Sequence, residues 1–259
     1  MKNRRRRSTD RPAILVCNDD GVYGLGLKPL VAAMRALGKV TVVVPDQERS
    51  ADSHCLTLHK PLRVRNVEKD FYILNGAPAD CARFGILGIL KNRVDLVVSG
   101  INHGYNLGED VVYSGTVAAA MEGTLLDKQA IAFSQGYGPN EKASFSAAAD
   151  FAGIVAAQVL QRGLPPGICL NVNVPPLPKG KPKGVSVARL GRRIYGTKIT
   201  GRMDPRGVEY FWLAGRQVSG ISIPGTDVAA IEQGRISVTP LHVDSTDPGM
   251  LKTLKKWDL

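Results

Sequence analysis

The absences in this chain of 259 residues narrow its chemistry before any motif is read. No apolar run approaches the roughly 20 residues that would span a bilayer, so a membrane partner is not expected. The four cysteines (Cys17, Cys55, Cys81 and Cys169) lie far apart and form no CxxC pair. That spacing argues against a zinc site and for reduced thiols in a cytoplasmic protein. Gly21, Gly24 and Gly26 are spaced GxxGxG, which fails the GxGxxG dinucleotide fingerprint, and no GxxxxGK(S/T) phosphate loop is present. An acidic pair after the first strand also opens response-regulator receivers. Those need an acceptor aspartate after the third strand, where SGIN (99–102) offers no carboxylate. A covalent aspartyl-phosphatase would space its acids Asp-x-Asp, whereas Asp19 and Asp20 are adjacent.

The chain does hold an ordinary globular proportion of apolar residues, 44%, which suffices for a sizeable core. Its net charge of +11 is uneven: Lys2, Arg4, Arg5, Arg6, Arg7 and Arg11 face only Asp10 in residues 1–12. That head has no apolar period and reads as a basic disordered arm, most simply a solvated tail. Only a short apolar stretch follows it, so a secretory signal is not expected. Beyond it, short apolar strands alternate with helices at 3.6-residue period. Strands are expected at 13–17, 40–44, 62–67, 71–74, 94–98, 131–134 and 168–172, and helices at 26–37, 78–90, 116–126 and 144–161. Such alternation predicts an α/β fold with a mostly parallel sheet covered on both faces. After Pro175 a Pro/Lys/Gly-rich connection leads to strands at 185–190, 208–213 and 235–239. The division is therefore 13–175 core and 176–259 β-rich extension within a single domain, 13–259.

Ligands of open parallel sheets bind beyond the carboxyl ends of the strands. Four segments there carry donors: NDDG (18–21), PDQERSADS (45–53), SGINHGYN (99–106) and YSGT (113–116). Each alone is ordinary turn chemistry. Together they suggest more, because Asp19 and Asp20 repel each other unless a cation or proton compensates. With Ser50 and Asn102 as neutral oxygen donors, the set suits a hard ion, Mg²⁺ or Mn²⁺, with open positions for water or substrate. Ser114, Gly115 and Thr116 precede a helix, whose N-terminal amides and hydroxyls can cradle phosphate; N-capping by Ser114 is the plainer alternative. A metal beside a phosphate cradle implies phosphoryl chemistry.

The ordered motifs NDDG, PDxxRS, SGINxGxNLG and YSGTVAAAMEG closely resemble the SurE family of survival proteins, as do LNVNVP (170–175), DPRG (204–207), PGTD (224–227) and SVTPLHVD (237–244). The resemblance spans residues 13–244. It implies a Rossmann-like three-layer core with a C-terminal extension used in homodimers or homotetramers. The activity implied is metal-dependent hydrolysis of nucleoside 5′-monophosphates, with 3′-monophosphates and short polyphosphate as further substrates. It places one divalent ion per subunit on Asp19, Asp20, Ser50 and Asn102, and phosphate contacts on Asn106, Ser114, Gly115 and Thr116. Asp19 and Asp20 are the expected catalytic pair, with Asp19 orienting or deprotonating the water. His103, His54 and His59 are candidate leaving-group acids, and Tyr105 a candidate base platform. Ala51 stands where the family usually has glycine, which matters if that position needs φ > 0. Two other classes stay open: a non-catalytic nucleotide-binding regulator, and a nucleic-acid binder acting through the basic arm.

Overall fold

The structure, a computed structural model, describes residues 11–137, 144–176, 181–213 and 219–258. The expected disordered arm therefore lies almost entirely outside the described residues. A nine-stranded sheet forms the spine, in the order β3-β4-β2-β1-β5-β6-β7-β13-β8. Its central strands are β1 (Ala13–Cys17), β2 (Lys39–Pro45), β4 (Phe71–Leu74), β5 (Leu96–His103), β6 (Gln129–Gln135) and β7 (Ile168–Val174), all parallel. The edge strand β3 (Val64–Glu68) pairs antiparallel with β4 as a hairpin.

The apolar runs of β1, β2 and β5 are continuous because both faces are covered. On one face, α1 (Leu27–Leu37) and α5 (Ser146–Arg162) bury Leu30, Met34, Ala152 and Ala156 against Ile14, Val16 and Val98. On the other, α2 (Pro78–Phe84) and α4 (Gly115–Leu125) pack Cys81, Ala82, Val117 and Ala120 against Leu15, Val43 and Val97. The short side chains of α4 bring its axis close to the sheet, and a Cβ at Gly123 would already sit 2.9 Å from Val97 Cγ2. This is a three-layer α/β/α arrangement. Running outward from β1, the chain adds β2 and β4, then returns to lay β5, β6 and β7 on the opposite side. The reversal makes the β1/β5 boundary the switch point of the sheet.

Three elements depart from the sequence pattern. The helix expected over 78–90 is α-helical only to Phe84 and continues as a π segment (Gly85–Ile89). The strand expected to end at 98 runs on through His103, because its ladder with β6 resumes at Asn102 and His103 after a register shift. Gly100 takes φ +131° within that shift, and a Cβ there would lie 2.3 Å from the Phe133 carbonyl oxygen. A short helix α3 (Asp110–Tyr113) sits inside the expected loop of 99–115. In the extension, β8 (Val185–Val187) and β13 (Ile236–His242) join the main sheet, β13 antiparallel to β7. The other described strands form two small antiparallel pairs, one from β9 (Arg192–Ile194) and β12 (Ser219–Ile221), the other a hairpin from β10 (Thr200–Met203) and β11 (Glu209–Trp212). The helices α6 (Asp227–Glu232) and α7 (Pro248–Leu254) flank β13 in sequence.

Candidate functional site

A cavity of about 680 Å³ opens at the carboxyl end of the β1/β5 boundary, lined among others by Asp19, Asp20, Ser50, Asn102, Asn106 and Ser114. Six of the eight expected residues therefore converge on one cavity. Asp19 and Asp20 follow β1 directly, and Asn102 ends β5 beside them. Ser50 arrives on the loop after β2, which Arg49 fixes by donating its N–H to the Asp19 carbonyl at 2.8 Å.

Asp19 is buried, and Thr116 donates its hydroxyl to Asp19 Oδ1. Burial raises the Asp19 pKa to about 6; the Thr116 hydroxyl offsets part of that rise, and the Asp20 charge adds to it. Asp20 is also pushed up by burial, against a lowering contact from the His103 N–H and a raising charge from Glu48. Its Oδ2 is buried without a hydrogen-bond partner among the described residues. Ser50 donates to Glu48 Oε1 at 2.7 Å, which leaves the lone pairs of its hydroxyl outward. Asn102 donates Nδ2 to the Gly104 carbonyl at 3.1 Å, leaving Oδ1 as a free acceptor.

Gly115 and Thr116 do not line the cavity. Thr116 is fully buried and commits its hydroxyl to Asp19. Gly115 lets the start of α4 meet Asp19, since a Cβ there would lie 2.9 Å from Asp19 Cβ. Ser114 caps α4, accepting from the Val117 N–H at 3.1 Å, and its own hydroxyl proton is still available. Asn106 donates its amide to Ser134 Oγ at 2.7 Å, while its backbone carbonyl accepts from Asn171 and Asn173. LNVNVP is thus a clamp on the loop that carries Asn106.

Other lining residues were not singled out: Glu48 and Tyr113, inside the quoted segments, and Asp110, Arg193 and Tyr195, outside them. Arg193 Nε lies 3.0 Å from Asp110 Oδ2, and the Tyr195 hydroxyl donates to Asp110 Oδ1. These two come from the extension, with no signal except their place between two expected strands. They are held by Asp227, fully buried, which accepts from the N–H groups of Gly108, Gly191 and Val228. PGTD therefore joins the cavity loop to the extension. Of the histidines, His103 lines the cavity with its ring 4.4 Å from Tyr137 and 5.9 Å from Phe145 between centroids. His54 turns away to Glu122, His59 lines a separate cavity, and His242 binds the Asp244 backbone. Tyr105 lines the main cavity and packs where any side chain at position 136 would clash, a Cβ on Gly136 lying 2.0 Å from Tyr105 Cζ.

Comparison with known proteins shows the family and the fold. The family profile described as "Survival protein SurE" matches residues 14–197. The chain belongs to the SurE family. Among its relatives, the 5′-nucleotidase SurE of Geobacter sulfurreducens is 49% identical over 249 residues, covering 95% of this chain and 94% of that protein. The 5′-nucleotidase SurE of Myxococcus xanthus is 47% identical, covering 95% and 93%. The crystal structure of the SurE protein from Aquifex aeolicus superposes with a TM-score of 0.82 at 40% identity, covering 94% of this chain and 98% of that one.

Within this SurE chain, the donor set suits a hard divalent cation. No group of three or more His, Cys, Asp or Glu side chains able to hold a metal occurs among the described residues. Asp19 and Asp20, with the neutral oxygens of Ser50 and Asn102 in the same cavity, form an all-oxygen set of the kind that could hold a hard cation. The orphaned Asp20 Oδ2 and the free Asn102 Oδ1 are acceptors of the required kind. Arg193, the one Lys or Arg lining the cavity among the described residues, is ion-paired with Asp110. Ala51 takes φ +61°, so this chain places a Cβ where the left-handed backbone favours glycine.

Proposed function

We propose that this chain is a metal-dependent phosphomonoesterase that hydrolyses nucleoside 5′-monophosphates to nucleoside and phosphate. The observation that carries this reading is the pair Asp19 and Asp20, one oxygen of it orphaned, facing Ser114 at the capped start of α4 across the switch point. The names of the relatives supply the substrate class.

Asp19, Asp20, Ser50 and Asn102 would hold the ion, with Mg²⁺ and Mn²⁺ the favoured identities. When bound, such an ion supplies Lewis acidity toward a phosphoryl oxygen and acidifies a coordinated water. Asp19 orients the attacking water and takes its proton at the oxygen that Thr116 leaves free. Ser114 and the first amides of α4 stabilise charge on the transferred phosphoryl group. His103, braced by Tyr137 and Phe145, delivers a proton to the leaving ribose oxygen. The tyrosine-lined remainder of the cavity, within the 300–1,000 Å³ typical of small-molecule sites, receives the nucleoside.

The assembly proposed is a homo-oligomer. Met203, Phe211, Trp212 and Leu213 stand exposed along and just beyond the β10–β11 hairpin, and Leu251 and Trp257 in and after α7. Unpaired thiols at Cys17, Cys55, Cys81 and Cys169 accord with a cytoplasmic site of action. No helix among the described residues is long and apolar enough to cross a membrane.

The decisive experiment measures phosphate release from AMP and p-nitrophenyl phosphate with Mg²⁺, Mn²⁺, Co²⁺ or Zn²⁺. Asp19→Asn and Asp20→Asn should each remove metal-dependent turnover while circular dichroism is unchanged. Turnover retained in either variant, or indifferent to chelator, would contradict the assignment.

A further inference from the structure

Glu122, the acid within YSGTVAAAMEG, lies well away from the cavity lining yet is 1% exposed. Its two oxygens are both spoken for: Oε1 accepts from Arg83 Nη1 at 2.5 Å and Oε2 from His54 Nε2 at 2.9 Å. His54 lies four residues beyond Ser50, at the far end of the loop that delivers Ser50 to the cavity. The neighbouring Ser53 donates its N–H to the Tyr113 carbonyl at 3.0 Å and its hydroxyl to the Val112 carbonyl at 2.7 Å. The loop is therefore tied at its near end to the backbone of Asp19 and at its far end to α3 and α4. Between the ties, Ala51 and Ser53 take φ of +61° and +55°. Non-glycine residues hold such conformations only when their surroundings over-determine them. Released at either end, the loop would relax toward ordinary dihedrals and carry Ser50 with it.

We propose that Glu122, acting through His54, is a positioning residue that holds Ser50 in register with Asp19, Asp20 and the start of α4. One helix then sets both halves of the site: its first turn faces the phosphate side, and Glu122, two turns later, anchors the metal-side loop. This inference rests on the metal-site reading above. Arg83 holds the carboxylate of Glu122 from the exposed side, its own side chain 47% accessible, so the proton-bearing Nε2 of His54 has a fixed acceptor.

The test is Mn²⁺ titration of metal-free protein by calorimetry, with His54→Ala, His54→Gln, Glu122→Gln and the double variant His54→Ala/Glu122→Gln. Loss of a group that orients a metal ligand typically weakens binding 10–100-fold. His54→Ala and Glu122→Gln should each raise the Mn²⁺ dissociation constant about tenfold. The double variant should be no worse than the weaker single, since both act through one contact. His54→Gln, which keeps an N–H donor at similar reach, should bind within about twofold of wild type, and kcat for AMP at saturating Mn²⁺ should change by less than about threefold in all four. Unchanged Mn²⁺ affinity in His54→Ala, or a double variant that multiplies the two singles, would overturn the proposal. Failure of the wild-type protein to bind Mn²⁺ would instead overturn the metal-site reading, and this proposal with it. Should Glu122→Gln fail to fold, the contrast of His54→Ala with His54→Gln on the half-exposed partner decides alone.

Discussion

Thr116 and Asp19 are coupled side chain to side chain, so the proton affinity of this carboxylate is a contest between burial and one hydroxyl. With its pKa raised to about 6, Asp19 keeps its proton more tightly folded than unfolded. In metal-free protein its contribution to stability is fully present below the ordinary carboxylate range and is lost as pH rises through about 6. Asp19→Asn should therefore melt higher than metal-free wild type at pH 7.5, with the gap narrowing below about pH 6 and closing only below the ordinary carboxylate value of 3.8, in paired calorimetric scans. Mn²⁺ affinity should fall as pH drops through the same range, and Thr116→Val, which removes the lowering contact, should shift that fall to higher pH. His103→Gln tests the leaving-group proton. It should cut kcat for AMP by about 10²-fold or more and scarcely touch p-nitrophenyl phosphate, whose leaving group departs as a stable anion. A similar loss on both substrates would remove His103 from that role. Ala51→Gly should raise stability by about 1 kcal/mol in denaturant unfolding, because it relieves the left-handed alanine.

At the scale of elements, β5 carries the most demanding geometry. It must run past Ser99, shift register and still deliver Asn102 and His103 to the cavity floor. Gly100→Ala would press a Cβ against the Phe133 carbonyl oxygen, and should cost about 3 kcal/mol with loss of Mn²⁺ binding even where the chain still folds. The sequence pattern made Ser99–Asn102 a loop because serine, glycine and asparagine are turn-formers. The ladder with β6 overrides that local preference. Continuous apolar strands such as Val42, Val43 and Val44 were easy to recognise, because burial on both faces leaves no polar alternation to misread. So were the acidic pair and the start of α4, whose chemistry lies in consecutive residues. Arg193, Tyr195 and the Glu122–His54 contact were not legible. Their meaning comes from pairings across dozens of residues, and no local spacing encodes those. Thr116 was legible as part of a motif but its contact with Asp19 was not, since a hydroxyl at a helix start does not announce which acceptor tertiary packing will offer it.

Across the whole molecule, the exposed apolar side chains of the β10–β11 hairpin set the expected assembly. Phe211→Arg/Trp212→Arg should shift the mass measured by light scattering toward the monomer, with Mn²⁺ affinity unchanged, because none of the four donors lies on that hairpin; an unchanged mass would move the interface elsewhere. Asp227 has a different reach. By gripping Gly108 and Gly191 together it ties the wall bearing Arg193 and Tyr195 to the loop that carries Asn106. Asp227→Ala should then leave both acids after β1 in place with that side of the chamber ajar, so that phosphate release from p-nitrophenyl phosphate outlasts release from AMP.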